Sequence, residues 1–174
     1  MKRRLFILLT LGLTCVPGFA YAQNVLDAER VSAIGQHCTL IQTTLDQLQR
    51  RDLVARTNRG RSYEAQLKQI DALAKRFKAN NLSTQTMDAP AVAFRSSVDS
   101  FRTAYVAYDD RMTTLRQIDC RTKPEDFATA LEELRVMRQE VGAEVTKGDE
   151  ALAQYRQAIV DLRPTVPEAK GSAQ

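Results

Sequence analysis

Along this chain, apolar residues return every three or four positions and almost never every second one. Val31, Ile34, Cys38, Ile41, Leu45 and Leu48 alternate steps of three and four. That spacing keeps one narrow stripe on one side of a helix, as in a coiled-coil seam. It predicts a first helical segment from about Val25 to Arg56. The stripe then fades into a polar stretch that ends in Asn58-Arg59-Gly60-Arg61. It resumes at Tyr63, Leu67, Ile70, Ala74 and Phe77, one residue out of the earlier register. A four-residue insertion in a heptad pattern leaves this signature, and a continuous helix can absorb it. A turn at Asn58-Arg59-Gly60 is the alternative.

Lys75, Arg76 and Lys78 mark the end of this arm, since cations suit the carbonyl-rich terminus of a helix. Asn80 to Thr84 reads as the connection. A third segment begins between Ser83 and Asp88, with Pro90 expected in its first turn, where the missing N–H costs nothing. Its seam runs from Met87 through Phe94, Phe101 and Tyr108 to Leu115. Thr122-Lys123-Pro124-Glu125 fits a capping box at the start of a fourth helix. That helix carries an apolar stripe from Phe127 to Leu162, broken at Arg138 and Gly148. Pro164 ends it, and residues 164–174 read as a loose tail. No alternating strand pattern of useful length occurs. The expected fold is all-α: a long antiparallel helical hairpin or three-arm coiled-coil bundle, its first arm bent or stuttered near Gly60.

Composition changes this picture mainly at the N-terminus. Lys2, Arg3 and Arg4 precede a run of 12 largely apolar residues, Leu5 to Val16, broken by Pro17 and Gly18. Ala20-Tyr21-Ala22 then places small residues ahead of Gln23. This is the layout of a secretory signal peptide over residues 1–22. The run is short for a membrane span, so an uncleaved anchor is the lesser reading. Thr14 before Cys15 argues against lipidation there. The mature chain is then one helical domain from residue 23 to 163, with no membrane span after cleavage and a location in the periplasm, envelope or medium. Removing the leader's three cations leaves 22 basic against 21 acidic residues. A balance that even gives no footing for nucleic-acid binding.

Export also decides how to read the cysteines. Two remain after cleavage, Cys38 and Cys120, and oxidising compartments favour pairing them. A Cys38–Cys120 disulfide constrains topology. A tight hairpin at Asn58-Arg59-Gly60 would leave the two sulfurs roughly 50 Å apart. One long arm over residues 25–79, folded back at 80–85, brings Cys120 towards Cys38, with about 10 Å left for a kink or loop to absorb. The only histidine, His37, neighbours Cys38. With Asp119 and Cys120 the two make a four-ligand set whose residue types suit zinc. Adjacent residues on a helix point about 100° apart, which spoils both that set and a catalytic Cys–His pair. His37 is better read as a solvated residue beside the clasp.

Arg50, Arg51, Arg56, Arg59 and Arg61 surround a single acid, Asp52. They read either as a solvated elbow or as a surface for anionic lipid or wall polymer. Phe94, Phe101, Tyr105 and Tyr108 have core spacing rather than the layout of a base-stacking platform. The carboxylate neighbours Asp109-Asp110, Glu125-Asp126 and Glu132-Glu133 diverge on a helix and make no acid/base pair. There is no glycine-rich phosphate loop, zincin motif or nucleophile elbow, and no cofactor is implied.

Cys38, the Arg-rich stretch from Arg56 to Tyr63, the polar turn from Asn80 to Thr84, the aromatic seam from Phe101 to Tyr108, and Cys120 with Pro124 and Phe127 follow in an order that resembles exported coiled-coil proteins recurring in bacteria of the candidate phyla radiation. Such relatives often carry Gly in the polar turn, where this chain has Asn81. The resemblance implies the same export and helical fold, and no activity comes with it. The expected function is a non-enzymatic exported scaffold or protein-interaction module, acting through a protein partner or self-association. The pattern breaks at Arg138, Gly148 and the Arg50–Arg61 elbow are the places where such a partner is expected to add. The alternative is an envelope protein that binds anionic surfaces through that elbow.

Overall fold

The computed structural model describes residues 28–162. The signal-peptide reading (1–22), Cys15 and the 164–174 tail lie outside the described residues. The fold is all-α, as the periodicity predicts, with four helices: α1, Ala28–Gln36; α2, Cys38–Ala79; α3, Gln85–Arg116; and α4, Pro124–Leu162.

The 42-residue α2 runs without interruption through Asn58, Arg59 and Gly60. The turn alternative is therefore not what forms, and the register slip is absorbed within one helix. The buried side chains show how. Cys38 and Leu45 are one heptad apart, as are Tyr63 and Ile70, but Leu45 and Tyr63 are separated by 18 residues. Two heptads would be 14, so four extra residues sit between the two registers. The break in the first arm falls at His37 instead. Its backbone (φ −103°, ψ 17°) leaves the α-helical well and separates α1 from α2. Gly35 then faces the Cys120 carbonyl, and Arg30 reaches Glu132 at 3.6 Å. α1 thus folds over the first turns of α4.

α2 ends in a Schellman motif. Leu82 N–H donates to the Phe77 carbonyl at 2.9 Å, and Asn81 N–H donates to Lys78 at 3.2 Å. Asn81 holds the left-handed conformation this closure requires, φ 55°. Asn tolerates that region better than most residues, though Gly suits it best. The closure leaves only Ser83 and Thr84 before α3 starts at Gln85. Pro90 consequently sits in the second turn, not the first. The capping box at Thr122 is also corrected. Thr122 Oγ1 donates to Asp119 Oδ2 at 3.0 Å, and the Lys123 carbonyl accepts the first helical bond, from Phe127. Pro124 occupies the first helical position, where it suits the geometry.

Ion pairs fix the helix directions. Asp46–Arg116 (2.6 Å), Glu64–Arg102 (3.5 Å) and Asp71–Arg95 join α2 to α3 in descending order, so these helices are antiparallel. Asp52–Arg138 and Arg59–Asp149 ascend together, so α2 and α4 run parallel. α3 lies between them in the packing and buries nine side chains from its 32 residues. α2 buries four from 42. The core forms two clusters. One surrounds the cysteines and Met112, Leu115 and Phe127; the other surrounds Phe94, Tyr63 and Tyr155 near the α2–α3 turn.

Candidate functional site

Three features define the functional region: the clasp, the polar layers of the α2 seam, and the open space between α2 and α4. Cys38 and Cys120 are disulfide-bonded, with Cα atoms 5.5 Å apart. By helix rise α2 is about 62 Å long and α3 about 47 Å. Residues 117–120, in turn and bend conformation, connect the α3 end to the clasp. Asp119 shapes that bend. Its carboxylate accepts from Arg121 N–H at 2.9 Å and from Thr122 Oγ1. These bonds, the Arg121 amide foremost, hold its pKa below the usual carboxylate value. Of the zinc set weighed from the sequence, both sulfurs are joined to each other, Asp119 is engaged in its own turn, and His37 is exposed. Among the described residues no three His, Cys, Asp or Glu side chains converge as metal ligands.

The Arg elbow divides. Arg50, Arg51 and Arg61 are exposed. Arg56 and Arg59 turn inward. The Arg56 guanidinium lies 4.8 Å from the Tyr105 ring centre. Arg59 donates to Tyr63 Oη at 3.4 Å and to Asp149 at 3.2 Å. Helix geometry explains the division: counted in sevens from Cys38 and Leu45, the seam positions are Asp52 and Arg59. These polar residues fill the slots left between the two apolar registers. Asp52 accepts from Tyr108 Oη at 2.6 Å and from two nitrogens of Arg138, both at 3.1 Å. Its side chain is only 16% exposed. Burial, then the bond to Asp52, raises the Tyr108 pKa.

Arg138 and Gly148, the breaks in the α4 stripe, are thereby accounted for within the chain. Arg138 is the counterion of Asp52. Gly148 is buried, and a Cβ there would lie 3.2 Å from Tyr63 Oη and 3.6 Å from Ser97 Cβ. The missing side chain makes room for a tyrosine from α2. Both breaks are filled by contacts within the chain.

The opening lies elsewhere. Among the described residues α2 and α4 nowhere bring Cα atoms within 8 Å of each other, whereas α3 and α4 do so repeatedly. Side chains bridge α2 and α4 at intervals, leaving hollows between the bridges. The largest, about 710 Å³, sits in the crook formed by α1, α2 and the start of α4. A middle hollow of about 300 Å³ lies beside Arg56 and Tyr105, and one of about 370 Å³ lies beside Ile70 and Ile159. Tyr105 Oη and Tyr155 Oη are buried without a hydrogen-bond partner. Burial first, then the Asp109 and Asp52 carboxylates, lift Tyr105 to about 12. Leu40, 66% exposed beside the largest hollow, was the residue that sequence reading passed over. Its adjacency to Ile41 widens the stripe locally, and that was the available signal.

The class these features define is a disulfide-clasped helical bundle with one open seam. No protein-family profile, curated protein or solved structure matches the chain. No described helix is long and apolar enough to cross a membrane.

Proposed function

We propose that the protein is a non-enzymatic exported helical scaffold or protein-interaction module of the cell envelope, locked by the Cys38–Cys120 disulfide. The observation that supports this most is the open α2–α4 seam, whose widest part is aliphatic and presents Leu40 to solvent. Helical proteins that recognise partners do so through apolar grooves flanked by charge. The ionisable groups in the seam are engaged structurally: Asp52 with Arg138 and Tyr108, Asp149 with Arg59. That arrangement favours a binding role over acid/base chemistry.

A photoreactive residue at position 40, with a control at the exposed Lys68, tests this in intact cells. The reading expects a discrete adduct, with another protein or a second copy, from position 40 alone. Equal labelling from both positions, or none from position 40, would defeat it.

The alternative, binding of anionic lipid or wall polymer, now rests on Arg50, Arg51 and Arg61. None of these has a carboxylate partner among the described residues. Salt-sensitive binding to phosphatidylglycerol vesicles, lost when all three become Gln, is its expected outcome.

A further inference from the structure

The hollow at the α1–α2 corner has a wall of unusual uniformity. Ile34, Leu40, Ile41, Leu45 and Leu48 form one side, and Leu131 and Leu134 form the other. No carboxylate lines it; its polar lining is His37, Thr44 and the guanidiniums of Arg30, Arg135 and Arg138. Such a wall offers mainly apolar contact, with hydrogen-bonding groups only at His37, Thr44 and the three arginines. It therefore selects a ligand by apolarity and width.

Its two ends differ in charge. At one end Arg30 and Arg135 share the carboxylate of Glu132, at 3.6 and 2.7 Å, so two guanidiniums meet one acid. At the other end Arg138 is matched by Asp52 through two hydrogen bonds. The hollow is cation-rich at the first end and compensated at the second.

The same ion pairs limit what fits. Arg30–Glu132 and Asp52–Arg138 cross the seam at opposite ends of the hollow. Their anchors on α4, Glu132 and Arg138, are about 9 Å apart by helix rise. A helix with its side chains is about 10–12 Å across, and to lie lengthwise here it would have to displace both crossings. A single methylene chain is far slimmer than a helix and can run past both crossings along the apolar wall.

We propose that this hollow binds one aliphatic acyl chain carrying an anionic head group, a ligand of the fatty-acid class. The tail lies against Leu45 and Leu48, and the head group sits at Arg30 and Arg135. This site is separate from the Arg50–Arg51–Arg61 surface; it uses the same hollow and the same Leu40 as the protein-docking reading, and saturable laurate binding and a position-40 protein adduct are read by separate experiments.

Calorimetric titration of the disulfide-bonded chain tests it, with laurate, hexanoate and dodecyltrimethylammonium as probes below their micelle concentrations. The expected result is one saturable laurate per chain. Hexanoate binds more than tenfold more weakly, because it buries fewer methylenes. Dodecyltrimethylammonium has the same tail and the wrong head charge, and it binds at least about fivefold more weakly. Leu40→Asp, at an exposed position where helical circular dichroism should be unchanged, weakens laurate more than tenfold. Arg30→Gln combined with Arg135→Gln reduces the preference for laurate over the cationic probe. Absent or non-saturable laurate binding would overturn the proposal. So would equal affinity for the cationic probe, or laurate binding that Leu40→Asp leaves unchanged.

Discussion

The α3–α4 seam and the α2–α4 seam are built from similar heptad stripes, yet one closes and the other stays open. Along α3, Met87, Phe94, Val98, Phe101, Met112 and Leu115 are each at most 4% exposed. Along α2 the corresponding positions alternate between buried and half-buried, and the middle two are Asp52 and Arg59. A large apolar side chain at every seam position draws two backbones together. A charged pair in the middle holds them at the length of an arginine. α2 therefore rests on an α3–α4 hairpin through spaced bridges and one covalent clasp, and the hollows are the intervals between those bridges.

The largest expected effect comes from the clasp. Its sequence separation is 82 residues, so replacing Cys38 and Cys120 by Ser should cost roughly 4.5 kcal/mol in the chain-entropy account. Urea unfolding of the double variant measures it, and a loss below about 1 kcal/mol would mean that α2 is held by packing alone. Next is a matched pair of truncations. Leu115→Ala, in the closed seam, should cost about 3–4 kcal/mol, whereas Leu48→Ala, beside the large hollow, should cost about 1 kcal/mol. Equal costs would contradict the contrast between the seams.

Asp52→Asn removes the charge that Arg138 and Tyr108 share, with an expected loss of about 2 kcal/mol. A double-mutant cycle with Arg138→Met should show coupling of about 1 kcal/mol. The tyrosines add a pH signature. Folding raises the Tyr105 pKa to about 12 and raises that of Tyr108 as well. The folded state thus retains protons that the unfolded chain releases near pH 10. Stability is complete below about pH 10 and declines as pH rises through 12. Urea midpoints between pH 9 and 11.5 should fall, and Tyr108→Phe should flatten the slope. The smallest effect is a gain. Gly60 has open space where a Cβ would stand, and it lies inside a continuous helix. Gly60→Ala should therefore stabilise by about 0.5–1 kcal/mol, whereas a hinge at that position would make the change neutral or harmful.

Much of this architecture was legible in the sequence because it is carried by local spacing. The stripes from Met87 to Leu115 and from Phe127 to Leu162 set α3 and α4, and the one-residue displacement at Tyr63 marked the insertion that α2 absorbs. The disulfide followed from the expectation of export and from two remaining cysteines. The long-range pairings were harder to see. Nothing local joins Asp52 to Arg138 or fits Tyr63 against Gly148, so both α4 positions looked like defects. A heptad count continued from Cys38 would have placed Asp52 and Arg59 on the seam and asked for their counterions. The break at His37 carries no proline and no glycine of its own. It coincides with the clasp at Cys38 and with the docking of α1 on α4, which are tertiary features. The hollow beside Leu40 follows from that break and was hidden for the same reason.

The most direct test of a self-sufficient α3–α4 hairpin bearing a clasped α2 is native-state hydrogen exchange, read by mass spectrometry before and after reduction of Cys38–Cys120. The account predicts that reduction speeds exchange across α2, while Phe94–Leu115 and Phe127–Tyr155 keep most of their protection. Simultaneous loss of protection in all three long helices would contradict it.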